Sequence, residues 1–430
     1  MRIVVLTTFK EGYGSGTGRV AYDMAYALSK EHEVAFIRPA DKTGILEKKG
    51  KLTVFGVKSK GRNHITLAFW TPKNKKAVLE FIDNFKPDVI HSNEPINLDT
   101  ILMKYAHEKG IPFFYTGHIL PSKGVAFFFP AKTKIFERII YYLIFKPYIK
   151  EYLKFCDGVV ALNEFSKNDH KKFTSEEKLF IIPNGKDLDK YKKAKIPSIK
   201  EDKIKLLYVG HIIPRKNQEY LIEAMKYLPE NFELILVGNT LNSIYFNKVK
   251  KRIKELNLEK RVVFAGEVPH EEIVKYFEQA HIFVSAALLE VQSLVILESL
   301  ATGTPVVGLS NETVDELIID NYNGYRLEKD ADPKEFAKRV LSIANLNEDS
   351  YKLLCDNCRE TAKRFDWREV LKKTTEMYKT VKEQKTQPEK VPFGLNVLYG
   401  LNVALVVSFG FFYSIFEKII TFILRLKMLI

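Results

Sequence analysis

Cysteine is nearly missing from this chain: Cys156, Cys355 and Cys358 are the only three in 430 residues. Three thiols cannot build a disulfide framework, which points to a reducing compartment. Cys355 and Cys358 form a lone C-x-x-C, but zinc needs two more ligands and Cys156 is far away in sequence, so no metal is expected. Glycine (22) and proline (17) are too few for a fibrous or low-complexity chain. Nothing in the first residues resembles a secretory leader. After Met1-Arg2 only Ile3 to Leu6 are strongly apolar before polar residues begin, so the body is expected to stay in the cytoplasm. Acidic charge is in the minority: 53 Asp and Glu against 67 Lys and Arg give a net charge of +14. That balance implies an acidic partner, whether nucleotide phosphate, nucleic acid or anionic lipid. A solvated basic surface is the plainer reading. No recognition module or aromatic RNA-binding motif accompanies the charge, which argues against nucleic acid.

The remaining composition is globular and water-compatible, with 46% hydrophobic residues and a mean hydropathy of −0.15. At 430 residues the chain exceeds one ordinary core, so two domains are expected. Short Val/Ile runs alternate with amphipathic stretches. Ile3–Thr7, Glu33–Ile37, Leu52–Val57, Val89–His91, Phe113–Thr116 and Gly158–Leu162 read as strands, with helices at Val20–Lys30 and Lys75–Phe85. The segment Lys186 to Lys203 is charged and poor in large apolar residues, and reads as a linker. The alternation then restarts with strands at Lys205–Val209, Glu233–Val237, Val262–Ala265, Ile282–Ser285 and Val306–Val307. Continuous apolar strands between helices predict parallel sheets covered on both faces. The fold class is therefore α/β, with two facing Rossmann-like domains. Ligands are expected at the carboxyl ends of the strands, in the crevice between the domains.

Three segments carry candidate chemistry. Gly12-Tyr13-Gly14-Ser15-Gly16-Thr17-Gly18 lies between a strand and a helix, where glycine lets backbone amides approach phosphate. Its spacing fits neither G-x-G-x-x-G nor the P-loop. Gly210-His211-Ile212-Ile213-Pro214-Arg215-Lys216 follows the second domain's first strand, and Arg215 and Lys216 could clamp a diphosphate. The alternatives are a flexible turn and an exposed basic turn. The sharpest segment is Glu290 to Glu298. Ser293 can cap a helix carrying Leu294, Leu297 and Leu300 on one face. Glu298 is the only charge between Val291 and Asn311, and an unpaired carboxylate in apolar surroundings is costly. It is expected to face the surface or to bind ligand hydroxyls, as of a ribose; two ordinary surface glutamates are the plain alternative.

Glu290 and Glu298 form an E-x7-E pair, and several motifs accompany it in a set order: Gly16 before the first helix, Lys86-Pro87-Asp88-Val89-Ile90-His91, Thr116-Gly117-His118, Pro183-Asn184-Gly185-Lys186-Asp187, Val209-Gly210 with Lys216, Leu297-Glu298-Ser299-Leu300-Ala301, Gly303-Thr304-Pro305-Val306-Val307, and Phe365-Asp366-Trp367. From Met1 to about Val381 the chain resembles the retaining family-4 glycosyltransferases of the GT-B fold. The resemblance implies a nucleotide-diphosphate sugar as donor substrate, with no cofactor or metal. It implies Gly16 near the donor diphosphate, His118 at the donor sugar near the reacting carbon, and Lys216 on the diphosphate. It further implies Glu290 facing the sugar, Glu298 holding the ribose hydroxyls, and the amides of Leu294 and Val295 meeting the diphosphate. Gly210, His211 and Arg215 complete the implied donor set. His211 stands where the family usually has Arg, and Glu290-Val291-Gln292-Ser293 where it has Glu-Gly-Phe-Gly. A Gln-Ser pair there resembles lipid-glucosylating members. A nucleotide-sugar epimerase of the same fold and a basic nucleic-acid-binding scaffold are the competing readings.

The expected layout is an acceptor-side domain over 1–190, a nucleotide-sugar domain over 191–371, a basic crossing helix and linker over 372–390, and an apolar tail over 391–430. Val391 to Phe416 runs 26 residues without a charge. As a helix that is roughly 39 Å, enough for a bilayer core of about 30 Å. A terminal helix docked on the body is the alternative. A second membrane candidate is 127–154. Lys132–Lys154 carries six Lys/Arg against two Glu, a net +4, interleaved with Ile139 to Ile144. Core packing with a solvated basic face explains it equally well. Together these features place the chain at the cytoplasmic face of the membrane, tail-anchored or monotopic, with a lipid or lipid-linked glycan as acceptor.

Overall fold

The computed structural model describes residues 1–10, 16–60, 67–68, 71–95, 98–127, 138–139, 141–385, 394 and 397. The chain divides into two units, Met1–Ile182 with the return from Leu371, and Pro183–Val370. Residues 183–190, expected with the first domain, thus cluster with the second.

The strands of the first unit are β1 (Arg2–Leu6), β2 (Glu33–Ala40), β3 (Gly44–Lys49), β4 (Leu52–Lys60), β5 (Leu67–Ala68), β6 (Val89–Ser92), β7 (Phe113–Gly117), β8 (Gly158–Ala161) and β9 (Leu179–Ile181). Among the described residues they form a nine-stranded sheet in the order β3-β4-β2-β1-β6-β7-β8-β9, with β5 on β4. Ile3, Val4, Val5 and Leu6 are fully buried, which is why β1 reads as an unbroken apolar run rather than an alternating one. The expected wholly parallel sheet is not what forms here. β3 and β5 each pair antiparallel with β4. β3 escaped the sequence pattern because it is an edge strand, with Glu47, Lys48 and Lys49 turned mostly to solvent.

Helices cover the sheet. The helix Pro72–Phe85 begins with Pro72 in its first turn and Thr71 accepting from the Asn74 N–H, and it buries Val78 and Ile82. The helix Trp367–Gln384 contributes its later turns to this unit. Tyr378 is fully buried, with its ring centroid 4.8 Å from that of Phe114. Lys382 pairs with Asp88 at 2.6 Å and Lys385 with Asp157 at 2.6 Å.

The second unit holds β10 (Ile204–Val209), β11 (Phe232–Val237), β12 (Val262–Gly266), β13 (Ile282–Ser285), β14 (Val306–Leu309) and β15 (Gly324–Leu327). Their order is β12-β11-β10-β13-β14-β15, parallel throughout. The crossover between β10 and β13 puts the order reversal at β10, where open α/β sheets bind ligands. The stretch 186–203 is not a solvated linker. Leu188, Tyr191, Ala194 and Ile199 are buried, and Lys186 is 2% exposed. Its few apolar residues all point inward, so low apolar content concealed a packed segment.

Candidate active site

The second unit brings most of the expected donor residues to one edge of its sheet. After β10 the chain turns out at Gly210, whose φ of 148° suits glycine. A side chain there would meet Tyr208 Oη at 2.8 Å. His211 enters through its backbone, its carbonyl accepting from Gln218 Nε2 at 2.9 Å. Pro214–Lys216 forms a single tight turn, and left-handed Asn217 (φ 54°) passes the chain into the helix Gln218–Met225. From this turn both cations reach the loop after β13. Lys216 Nζ donates to Glu290 Oε1, and Arg215 Nη1 lies 3.5 Å from the same oxygen. Arg215 also donates to the Leu289 carbonyl at 3.1 Å. The predicted diphosphate lysine and sugar-facing carboxylate are therefore direct partners, 74 residues apart.

Ser293 stands at the N-cap position of the helix Leu294–Thr302, but the expected side-chain cap is not made. Its N–H is instead taken by Thr313 Oγ1 at 2.9 Å, and the same hydroxyl donates to the Glu290 carbonyl at 3.3 Å. Thr313 thus holds both ends of the Glu290–Ser293 turn. With no side chain capping it, this helix start presents the Leu294 and Val295 amides and the positive dipole end to an anion.

Glu298 is not surface-facing. It is 1% exposed, and Oε1 receives Lys186 Nζ at 2.5 Å and sits 3.0 Å from His270 Nε2. Burial alone would raise this carboxyl, but the Lys186 charge and the His270 contact outweigh it and hold it at about 2. Glu298 Oε2 is buried with no hydrogen-bond partner among the described residues. Lys186 is fixed by its backbone, its N–H on the Phe365 carbonyl at 2.8 Å and its carbonyl accepting from Trp367 N–H at 3.1 Å. Gly185 lies against the indole, where an added Cβ would fall 2.4 Å from Trp367 Cδ2. Gln292 completes the loop, its Oε1 accepting from the Asn184 N–H at 2.6 Å.

The first unit assembles a separate polar cluster at the carboxyl ends of β1, β6 and β7. His118 follows β7, with Nε2 3.1 Å from Asn93 Oδ1, and Asn93 Nδ2 donates to the Leu6 carbonyl at 3.0 Å. His118 keeps part of its surface, and desolvation lowers its pKa to about 3; the direction means a neutral imidazole at neutral pH. Behind it His91 lies 2.6 Å from Thr116 Oγ1 and 2.5 Å from Tyr378 Oη. Glu94 accepts from Thr7 Oγ1 at 3.1 Å and from the Thr8 N–H at 2.8 Å, at the exit of β1. Gly16 opens the helix Gly16–Leu28 and is exposed; Gly12 to Ser15 of that loop lie outside the described residues.

Burial pushes the Glu94 carboxyl up to about 8, against hydrogen bonds from Thr8 and Thr7 that lower it. A carboxyl raised on folding contributes fully below pH 4.5 and loses that contribution as pH rises through 8. Glu94→Gln keeps the shape and removes the titration. Its Tm is expected to gain on the wild type by roughly several degrees between pH 6 and pH 9, which thermal unfolding at the two values checks.

Of the segment 127–154, residues 128–137 and 140 lie outside the described residues. The rest leaves Ile139 (49%), Tyr142 (55%), Leu143 (73%) and Ile144 (43%) exposed on and before the short helical turn Tyr141–Phe145. Lys146 lies over the Tyr142 ring at 5.4 Å, and the helix Lys146–Lys154 buries Tyr148, Ile149, Tyr152 and Leu153 on its other side. Among the described residues no helix is long and apolar enough to cross a membrane. The tail 391–430 lies outside them except for 394 and 397.

Sequence alone gives no role to Lys186, His270, Thr313 or Glu94, and marks Gln292 only as part of the Gln-Ser pair. The only signal for Lys186 was its place in the Pro183–Asp187 motif.

Comparison with known proteins agrees with this geometry. Residues 189–365 match the family of glycosyl transferases group 1, and residues 14–190 match Glycosyltransferase Family 4. The chain is 27% identical over 264 residues to an alpha-monoglucosyldiacylglycerol synthase of Streptococcus pneumoniae, covering 57% of each chain. It is 28% identical over 198 residues to a UDP-Gal:alpha-D-GlcNAc-diphosphoundecaprenol alpha-1,3-galactosyltransferase of Escherichia coli, covering 42% of this chain and 49% of that one. The chain thus spans about half the length of these curated relatives. Among solved structures, Anabaena HepE in complex with UDP and glucose superposes with a TM-score of 0.68 at 18% identity, covering 88% of this chain and all of that one. At that identity the likeness shows the fold, which is GT-B: two Rossmann-like domains with parallel sheets.

Proposed function

We infer that this chain, which belongs to the glycosyltransferases of group 1 and family 4, moves a sugar from a nucleotide-diphosphate sugar to a membrane lipid or lipid-linked glycan. One observation carries the donor half of this reading. Within the second unit, two cations and an uncapped helix N-terminus meet Glu290, and the buried Glu298 has one oxygen without a partner among the described residues. Negative charge that develops on a departing diphosphate is met there by Lys216, Arg215 and the Leu294 and Val295 amides. Glu290 faces the sugar and Glu298 accepts from the ribose. With the leaving diphosphate itself taking the acceptor proton, attack proceeds from the front face with retention, and no protein nucleophile is required.

The acceptor half rests on Ile139, Tyr142, Leu143 and Ile144, exposed together beside Arg138, Lys146 and Lys150. Apolar side chains ringed by Lys and Arg suit an anionic bilayer surface. Two relatives whose names state lipid or lipid-diphosphate substrates support the same choice. The reading places the body at the cytoplasmic face of the cell membrane, with the apolar tail as its anchor.

Radiolabelled nucleotide sugars incubated with membrane lipid extracts test it. The full chain is expected to carry label into the organic phase with at least one donor, and Glu290→Ala to do so at a rate lower by about a hundredfold. Label that stays aqueous with every donor, or undiminished transfer by the variant, would contradict the reading. Leu143→Glu is expected to weaken binding to anionic vesicles without changing nucleotide binding.

A further inference from the structure

Lys186 is an unusual side chain to find where it lies. It is a lysine 2% exposed, in a segment otherwise rich in solvated lysines. Burying an ammonium and a carboxylate is costly unless both are paired and their remaining hydrogen-bonding capacity is used. The pairing with Glu298 Oε1 at 2.5 Å meets the first condition. The second is unmet on both sides. Oε1 is taken by Lys186 and faces His270 Nε2, while Oε2 has no partner among the described residues. Lys186 Nζ has three N–H donors. One serves Glu298, and His270 Nε2 at 3.2 Å can accept a second, leaving a third.

The role of His270 depends on which tautomer it holds. With Nε2 protonated it donates to Glu298; with Nε2 bare it accepts from Lys186. Under either arrangement the ammonium stays on Oε1. The Lys186 backbone, bonded to Phe365 and Trp367 on its two sides, fixes the point from which the side chain reaches Glu298. A vacant carboxylate oxygen and a spare ammonium N–H on the same ion pair are complementary to one kind of group. A hydroxyl can donate to the first and accept from the second, and a hydrogen or an ether cannot do both.

We propose that Lys186 is a specificity-determining residue of the nucleotide site: by holding Oε1 of Glu298 it presents Oε2 and an ammonium N–H together to a single sugar hydroxyl, so that the site selects ribonucleoside over deoxyribonucleoside diphosphates. This rests on the reading of Glu298 as the ribose carboxylate. A deoxy ligand leaves both buried groups unsatisfied, which is the strongest basis a site has for rejecting an analogue.

The test is direct binding of UDP, ADP and GDP to the full chain, followed by the 2′-deoxy and 3′-deoxy forms of whichever binds tightest. The wild type is expected to prefer the ribose form over one of the deoxy forms by about ten- to a hundredfold. Lys186→Met is expected to bring that ratio to within about twofold of one. Because this variant leaves Glu298 buried without its cation, Lys186→Met/Glu298→Gln is measured beside it, with the same collapse expected. A merely structural lysine would alter stability and overall affinity but not the ratio. If either variant folds and keeps the wild-type ratio, or if the wild type binds ribose and both deoxy forms alike, the proposal is overturned while the nucleotide site stands. If no nucleoside diphosphate binds the wild type, the nucleotide site itself is overturned, and this proposal with it.

Discussion

Lys216→Ala is expected to lower kcat by about a hundred- to a thousandfold, the usual cost of removing one group that meets charge developing in the transition state. Lys216 sits on a tight turn between Pro214 and left-handed Asn217, so its backbone position does not depend on its side chain. In this structure its ammonium is engaged by Glu290 Oε1. On the proposed reading, a donor diphosphate at the helix start would compete with that carboxylate for the same cation. Arg215, 3.5 Å from Glu290, can keep that carboxylate paired if the lysine turns to a diphosphate. Steady-state kinetics at saturating donor measures the effect. Because Arg215 remains in the variant, donor KM should rise far less than kcat falls. A kcat within about threefold of wild type would remove Lys216 from the chemistry.

Glu298→Ala should act mainly on binding and stability. Removing the carboxylate takes away the proposed ribose acceptor and leaves Lys186 as a buried cation without its partner, a loss of about 3–5 kcal/mol by analogy with broken buried pairs. Donor KM is expected to rise by at least about a hundredfold, and thermal unfolding to move down markedly. The acid limb provides an independent check. A carboxyl held at about 2 contributes stability that is complete above its ordinary value of 4.5 and is lost as pH falls toward 2. Stability of the wild type should therefore fall between those values by more than that of Glu298→Gln, which cannot titrate. Parallel acid profiles for the two would show that Glu298 is not the paired group described here.

Much of this architecture is legible in sequence because its signals are local. Ile3–Leu6 is buried on both faces and reads as a continuous apolar run. The helix Pro72–Phe85 announces itself through Thr71 and Pro72. Glu290 and Lys216 are legible because their motifs recur in a set order. What escapes is contact between distant positions. Lys186 resembles any other lysine in a charged stretch until Glu298 and His270, the latter 84 residues on, are folded against it. Ser293 has the right residue type and position for a cap, yet its own N–H is captured by Thr313, 20 residues away. Glu94 sits in an unremarked Ser-Asn-Glu-Pro stretch, and its environment comes from Thr7 and Thr8 at the far end of another strand. β3 is an edge strand in which the successive residues Glu47, Lys48 and Lys49 are all exposed, so no apolar alternation marks it.

On the proposed reading, sugar leaves a nucleoside diphosphate and appears, with its anomeric configuration unchanged, on a lipid. The most direct measurement follows both products of one reaction: nucleoside diphosphate released, and the anomeric configuration of the new linkage by NMR of the purified lipid product. One diphosphate per sugar transferred and an α linkage from an α-linked donor are expected. A β linkage from that donor, or an epimerised nucleotide sugar formed with no acceptor present, would contradict it.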